Sequence, residues 1–176
     1  MIHIPRLAAA ALALCLGACA LAPESQPIPD MGRVPAAFEM SGRIAVRQGE
    51  RSEIARLRWT HRPSGDLWVF ASPLGNEVAR IESGEAGATL RQAGGPTATA
   101  PSFAVLAERF IGLALEPATL AAWLHGGAAR SEHGGWQVAL EETQGAGAVQ
   151  VARRLSATRG DVVVRVVVDE YRPLPE

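Results

Sequence analysis

The chain has 176 residues, a formal charge of −1 and 48% hydrophobic residues, enough apolar material for one domain with its own core. All of its side-chain cations other than histidine are arginines, interspersed with acids rather than gathered in a block, so nucleic acid is not an expected partner. Two cysteines and four histidines, with no paired metal-ligand spacing, leave no redox or metal centre to expect, and no cofactor.

Residues 1–18 read as a signal peptide: Arg6 precedes an apolar run over residues 7–16 that is too short to span a bilayer. The run leads into Leu16-Gly17-Ala18-Cys19, which resembles the lipobox of bacterial lipoproteins, an aliphatic residue and two small ones before the cysteine that is acylated. Cys15 is the competing position, but Leu14 stands before it where a small residue is required. The resemblance implies lipidation at Cys19 and loss of Cys15 with the signal, which leaves no partner for a disulfide. An ordinary secretory signal followed by an unmodified cysteine is the alternative. Ala20 resembles the sorting pattern that permits export to the outer membrane, where two or more acyl chains, at about 0.8 kcal/mol per buried methylene, make a permanent anchor.

Residues 19–36 carry Pro23, Pro27, Pro29 and Pro35 without periodicity, which predicts an extended tether ahead of a domain over residues 37–172. Period-two alternation then begins. Ile44 and Val46 oppose Arg43 and Arg47, and Leu57 and Trp59 oppose Arg56 and Arg58. Trp68 and Phe70 precede the turn Ser72-Pro73-Leu74-Gly75, after which Ala79 and Ile81 oppose Arg80 and Glu82. A short strand over residues 88–91 and another over 97–99 flank the breaker Gly94-Gly95-Pro96.

Two short helices are predicted next, one capped by Ser102 and ending near Gly112, the other opened by Pro117 and closed by Gly126. Strands resume with Trp136, Val138 and Leu140, then a glycine-rich turn around Gly145 and Gly147, then Leu155 and Ala157. The β-branched run over residues 162–168 predicts a well-buried last strand, with Val162, Val164, Val166 and Val168 inward and Arg165 outward. Many short alternating strands with a few helices predict an α+β fold, a curled antiparallel sheet forming a half-open β-barrel with short helices as a lid. Such a shape leaves room for an apolar ligand.

The order and spacing of Gly42-Arg43-Ile44-Ala45-Val46-Arg47, Leu57-Arg58-Trp59, Ser72-Pro73-Leu74-Gly75 and Ala79-Arg80-Ile81 resemble the LolB family of outer-membrane lipoproteins. Leu120-Ala121-Ala122-Trp123-Leu124, Gly135-Trp136-Gln137-Val138 and the valine-rich end through Asp169 and Tyr171 extend the resemblance over most of the chain after Cys19. It implies a lid-covered barrel that shelters the acyl chains of other lipoproteins, and a loop, Pro73, Leu74 and Gly75, whose leucine enters the membrane. It also implies a LolA-like periplasmic carrier, client lipoproteins and the inner leaflet of the outer membrane as partners of a monomeric, lipid-anchored protein on the periplasmic face. The chain departs from the family in a short, glycine-rich stretch over residues 125–134, where a further strand is usual, in the missing helical stretch before the first strand, and at Tyr171, where tryptophan is usual.

Ile44, Val46, Leu57, Trp59, Trp68, Phe70, Trp136, Val138 and Leu140 are the candidates to line an acyl pocket, and the same alternation equally suits a filled core. Taken from the turn residues alone, Leu74 folds back onto its hairpin more often than it projects, and the resemblance reverses that reading. His125 and His133 read as solvated loop residues. No nucleophile elbow, Cys/His pair or phosphate-cradling loop occurs, so an enzyme is not expected. The function read from the resemblance is acceptance of lipoproteins from the carrier and their insertion into the outer membrane. The alternative is a scaffolding lipoprotein with a filled barrel.

Overall fold

The computed structural model describes residue 31, residues 33–127 and residues 134–175. The signal peptide, Cys19 and His133 lie outside the described residues. Nine strands and two helices follow in the order β1 (Phe38–Gln48), β2 (Arg51–Arg62), β3 (Gly65–Ala71), β4 (Glu77–Gly84), β5 (Gly87–Gln92), β6 (Thr97–Ala100), α1 (Phe103–Ile111), α2 (Pro117–Leu124), β7 (Gln137–Ala146), β8 (Val149–Arg159) and β9 (Val162–Pro173). All nine strands form one antiparallel sheet in the order β6-β5-β4-β3-β2-β1-β9-β8-β7. The chain thus builds outward from β1 by successive hairpins, crosses the sheet through the two helices, and returns to lay β9 against β1. This is the antiparallel sheet with short covering helices read in the sequence, and β6 and β7 are its two outer edges.

One face of the sheet carries the core. In β1 the buried side chains are Phe38, Met40, Ile44 and Val46, with Arg43 and Arg47 on the other face; in β9 they are Val164, Val166 and Val168, with Arg165 outside. Alternation of this kind arises because one side of an antiparallel sheet meets protein and the other meets water. The register between β1 and β9 slips at Ser41/Gly42, where Asp169 is the extra residue. Gly42 is required there, since a Cβ would fall 2.2 Å from the carbonyl oxygen of Val167. The bulge turns Asp169 outward, where its carboxylate accepts from Arg43 at 3.1 Å.

The helices lie over the core face, α1 against β4, β5 and β6 and α2 against β8. Helix α1 buries Phe103, Leu106, Ala107 and Ile111. Ser102 stands at its N-cap position but makes no side-chain capping bond; instead the Ala104 N–H donates to the Glu116 carboxylate at 3.2 Å. Gly112 ends the helix in the left-handed conformation at φ 71°. Helix α2 opens with Pro117 at its first turn and buries Leu120, Ala121, Trp123 and Leu124.

Besides the unmade Ser102 cap, three sequence expectations change. The tether reading covered residues 19–36, yet Met31 is 1% exposed and belongs to the core, and Val34 packs against it. Strand β7 runs through Gly145 to Ala146, so the turn begins only at Gly147. His125 is no solvated loop residue: it caps the C-terminus of α2 and is 5% exposed. Its Nδ1 donates to the Ala121 carbonyl at 2.8 Å, which leaves Nε2 to accept from the Tyr171 hydroxyl at 3.0 Å. Burial lowers the His125 pKa, against the Ala121 hydrogen bond, and the same cause raises that of Tyr171.

Candidate functional site

The β3–β4 hairpin ends in a five-residue loop, residues 72–76. The Gly75 N–H donates to the Ser72 carbonyl at 2.8 Å, and the Ser72 N–H donates to the Asn76 carbonyl at 2.8 Å. Proline at the second place supplies a fixed φ, and Gly75 takes a φ of 93°, so the loop is tied at its neck and leaves Leu74 at its tip. Leu74 is 90% exposed. Arg80 on the outer face of β4 braces the loop's foot through a bidentate pair with Glu77, at 2.7 and 2.8 Å, which holds the Glu77 carboxyl below its ordinary range despite some desolvation.

Beside this loop lies an apolar groove of about 300 Å³, bordered by Ile44, Val46, Ile54, Ala55, Val78, Phe110 and Ile111 together with Glu53, Ala71 and Ser72. It exists because β2 outruns β3. Pairing between the two begins only at Arg56↔Ala71, so residues 51–55 of β2 are held by β1 alone and the groove opens along their free edge. Ile54, 66% exposed, and Val78, 37% exposed, are the other large apolar side chains in water among the described residues. Sequence reasoning missed Ile54, although a signal existed: it falls on the same phase of β2 as Arg56 and Arg58, where an apolar residue has no core to meet.

The nine candidate pocket residues all lie on the core face, but in two settings. Ile44 and Val46 border the groove. Trp59, Trp68 and Phe70 form a fully buried row of mutually tilted rings, with centroids 5.3 Å apart for Trp59 and Trp68 and 6.0 Å for Trp68 and Phe70. The helices complete it through Phe103, 4.8 Å from Trp68, and Phe110, 5.0 Å from Phe70. Trp136 packs on Trp123 at 5.1 Å beneath the Arg159 guanidinium, Leu57 is buried, and Val138 and Leu140 pack against the same core. The space between sheet and lid is therefore occupied by aromatic rings. Trp59 donates to Asp66 at 2.7 Å, whereas the indole N–H groups of Trp68 and Trp123 are buried without an acceptor among the described residues.

The end of the sheet remote from Leu74 is polar inside. His61 Nδ1 lies 2.8 Å from Asp66, Phe38 stacks on Tyr171 at 5.1 Å, and Tyr171 reaches His125. The sheet thus has one end closed by hydrogen bonds and one end opening on an apolar groove.

The family model described as Outer membrane lipoprotein LolB matches residues 36–171. The Outer-membrane lipoprotein LolB of Thiobacillus denitrificans is 30% identical over 186 residues, spanning 94% of this chain and 96% of that protein. Its counterpart in Azoarcus sp. is 28% identical over 185 residues, spanning 94% and 95%. Among solved structures, a DUF1329 family protein from Desulfovibrio piger has the same fold, with a TM-score of 0.54 at 8% identity over 79% of this chain and 86% of that one. With its described domain lying almost wholly within the matched segment, the chain belongs to the family of the outer-membrane lipoprotein LolB.

Proposed function

We propose that this chain, an outer-membrane lipoprotein acting in lipoprotein localisation, takes acylated lipoproteins from a LolA-like periplasmic carrier and uses Leu74 to deliver them into the membrane. Cys19, acylated, is its own anchor, and it works as a monomer. The observation that carries the reading is a leucine 90% exposed at the tip of a tied loop, beside an apolar groove. Inserting one leucine into lipid is worth about 1.5–3 kcal/mol, enough to orient a tethered domain and too little to anchor one. Client acyl chains enter along Ile44, Val46, Phe110 and Ile111 and part the aromatic row behind them. The unmatched indoles support this: a buried donor without an acceptor costs about 1–3 kcal/mol, and the carbonyls that join acyl chains to a client supply acceptors. Direction then comes from affinity alone, about 1.4 kcal/mol for each tenfold preference over the carrier.

The test is transfer from a carrier loaded with an acylated lipoprotein to vesicles bearing this protein. Leu74→Glu is expected to accept the client and fail to insert it; undiminished insertion removes Leu74 from the mechanism. The packed row of Trp59, Trp68 and Phe70 favours a second reading, a scaffolding lipoprotein with a filled barrel. Failure of the chain to bind either an acylated peptide or a hydrophobic dye would favour the scaffold.

A further inference from the structure

The outer face of the sheet beside the Leu74 loop sets like charges against one another. Arg43 of β1 lies directly across from Arg56 of β2, and Arg58 is the next outward residue on the same strand. Opposed like charges destabilise a sheet, so the arrangement asks for counter-charge. The neighbouring cations have it: Arg43 pairs with Asp169 at 3.1 Å, and Arg80 with Glu77 at 2.7 Å and Glu82 at 3.9 Å. Arg56 and Arg58 have no ion pair among the described residues; Glu77 feels the charge of Arg58 but is held by Arg80. Between these two arginines the surface dips into an open depression of about 260 Å³ whose lining also includes Ala71, Gly75 and Asp169. Gly75 follows Leu74 directly, which puts the depression at the root of the loop.

We propose that Arg56 and Arg58 form a binding site for the phosphate of an anionic phospholipid headgroup. The proposal rests on the reading of Leu74 as a membrane contact. With Leu74 in hydrocarbon, a site only a few residues behind it falls within the headgroup layer, which is about 5–7 Å thick on each side. Guanidinium groups suit phosphate because their planar N–H forks match its oxygens, and the one carboxylate at the rim, Asp169, is already matched by Arg43. The headgroup thus replaces the counter-charge that the sheet lacks and fixes the rotation of the domain about the Leu74 contact. Ile54 lies on the same outer face, opposite Ala45, where it adds an apolar contact to the same surface.

The test uses the full, lipid-anchored chain in vesicles of phosphatidylcholine, with or without phosphatidylglycerol. Arginine modification by phenylglyoxal is followed residue by residue by mass spectrometry, with no lysine in the chain to compete. Modification of Arg56 and Arg58 is expected to slow roughly fivefold when phosphatidylglycerol is present, the scale of one arginine's attraction to an anionic surface, with Arg62 at the far end of β2 unchanged. A dye attached through Leu74→Cys reports insertion separately. If the dye enters lipid and the two arginines react equally in both vesicles, the phosphate site is wrong and the Leu74 reading stands. If the dye stays in water while phosphatidylglycerol protects the arginines, the site stands and the Leu74 reading fails. Equal protection by inorganic phosphate in phosphatidylcholine vesicles overturns the assignment to a lipid. The doubly substituted Arg56→Gln, Arg58→Gln chain is expected to lose the phosphatidylglycerol-dependent part of the dye signal with a Tm no lower than that of the native chain, since the Arg43–Arg56 repulsion is removed; retention of that part also overturns the proposal.

Discussion

At position 74 a leucine stands 90% exposed, more than either of the other exposed large apolar side chains among the described residues, Ile54 and Val78. Because Leu74 touches no core, Leu74→Glu is expected to change unfolding free energy by less than about 0.5 kcal/mol in a urea titration, even where it stops client insertion. The turn was legible from Ser72, Pro73 and Gly75; the outward direction of Leu74 came only with the family resemblance, because those residues fix the backbone and leave the side chain's burial to its neighbours. His125 shows the opposite case. A histidine followed by glycines reads as solvated loop, and only the return of β9, bringing Tyr171 to its Nε2, encloses it. With its pKa lowered in the fold, the unfolded chain binds the proton more readily, so this contribution is complete above about pH 6.5 and is lost as pH falls below it. Melting temperature is expected to drop between pH 7 and pH 5, and His125→Gln to flatten that dependence; an equal slope in both chains would show that His125 is not its source.

Among the elements, all nine strands were readable, most from the alternation that a half-solvated sheet imposes, although β3 buries Trp68, Val69 and Phe70 in succession. Its irregularities were not: the bulge at Gly42 and the passage of β7 through Gly145 depend on partners distant in the chain. Helix α2 is buried on most of its surface, so Pro117 and Gly126 marked it better than any apolar stripe. The Gly42 bulge has a measurable signature. Gly42→Ala forces a Cβ against backbone at 2.2 Å, a contact that no rotamer relieves, and is expected to cost about 1–3 kcal/mol in the urea midpoint. Ala45→Gly, on the outer face of the same strand, is the control for propensity alone, at about 0.5–1 kcal/mol.

On the scale of the whole molecule, the four tryptophans Trp59, Trp68, Trp123 and Trp136 are all buried and span both halves of the sheet. An acylated peptide that enters the core must disturb them, so its binding is expected to shift tryptophan emission, and a bound peptide that leaves emission unchanged would have to occupy the groove alone. The sequence carried the general architecture and the family resemblance, but a hollow and a filled interior share one pattern of alternation, and the packing of rings from strands and helices decides between them. The sheet order has one mechanical corollary. Since β6 and β7 are the two unpaired edges of the sheet, it is open along one side, with α1 packed on the β4–β6 flank and α2 on the β8 flank. If acyl chains enter as proposed, the two free edges can part and the apolar surfaces slide without any backbone ladder bond being broken.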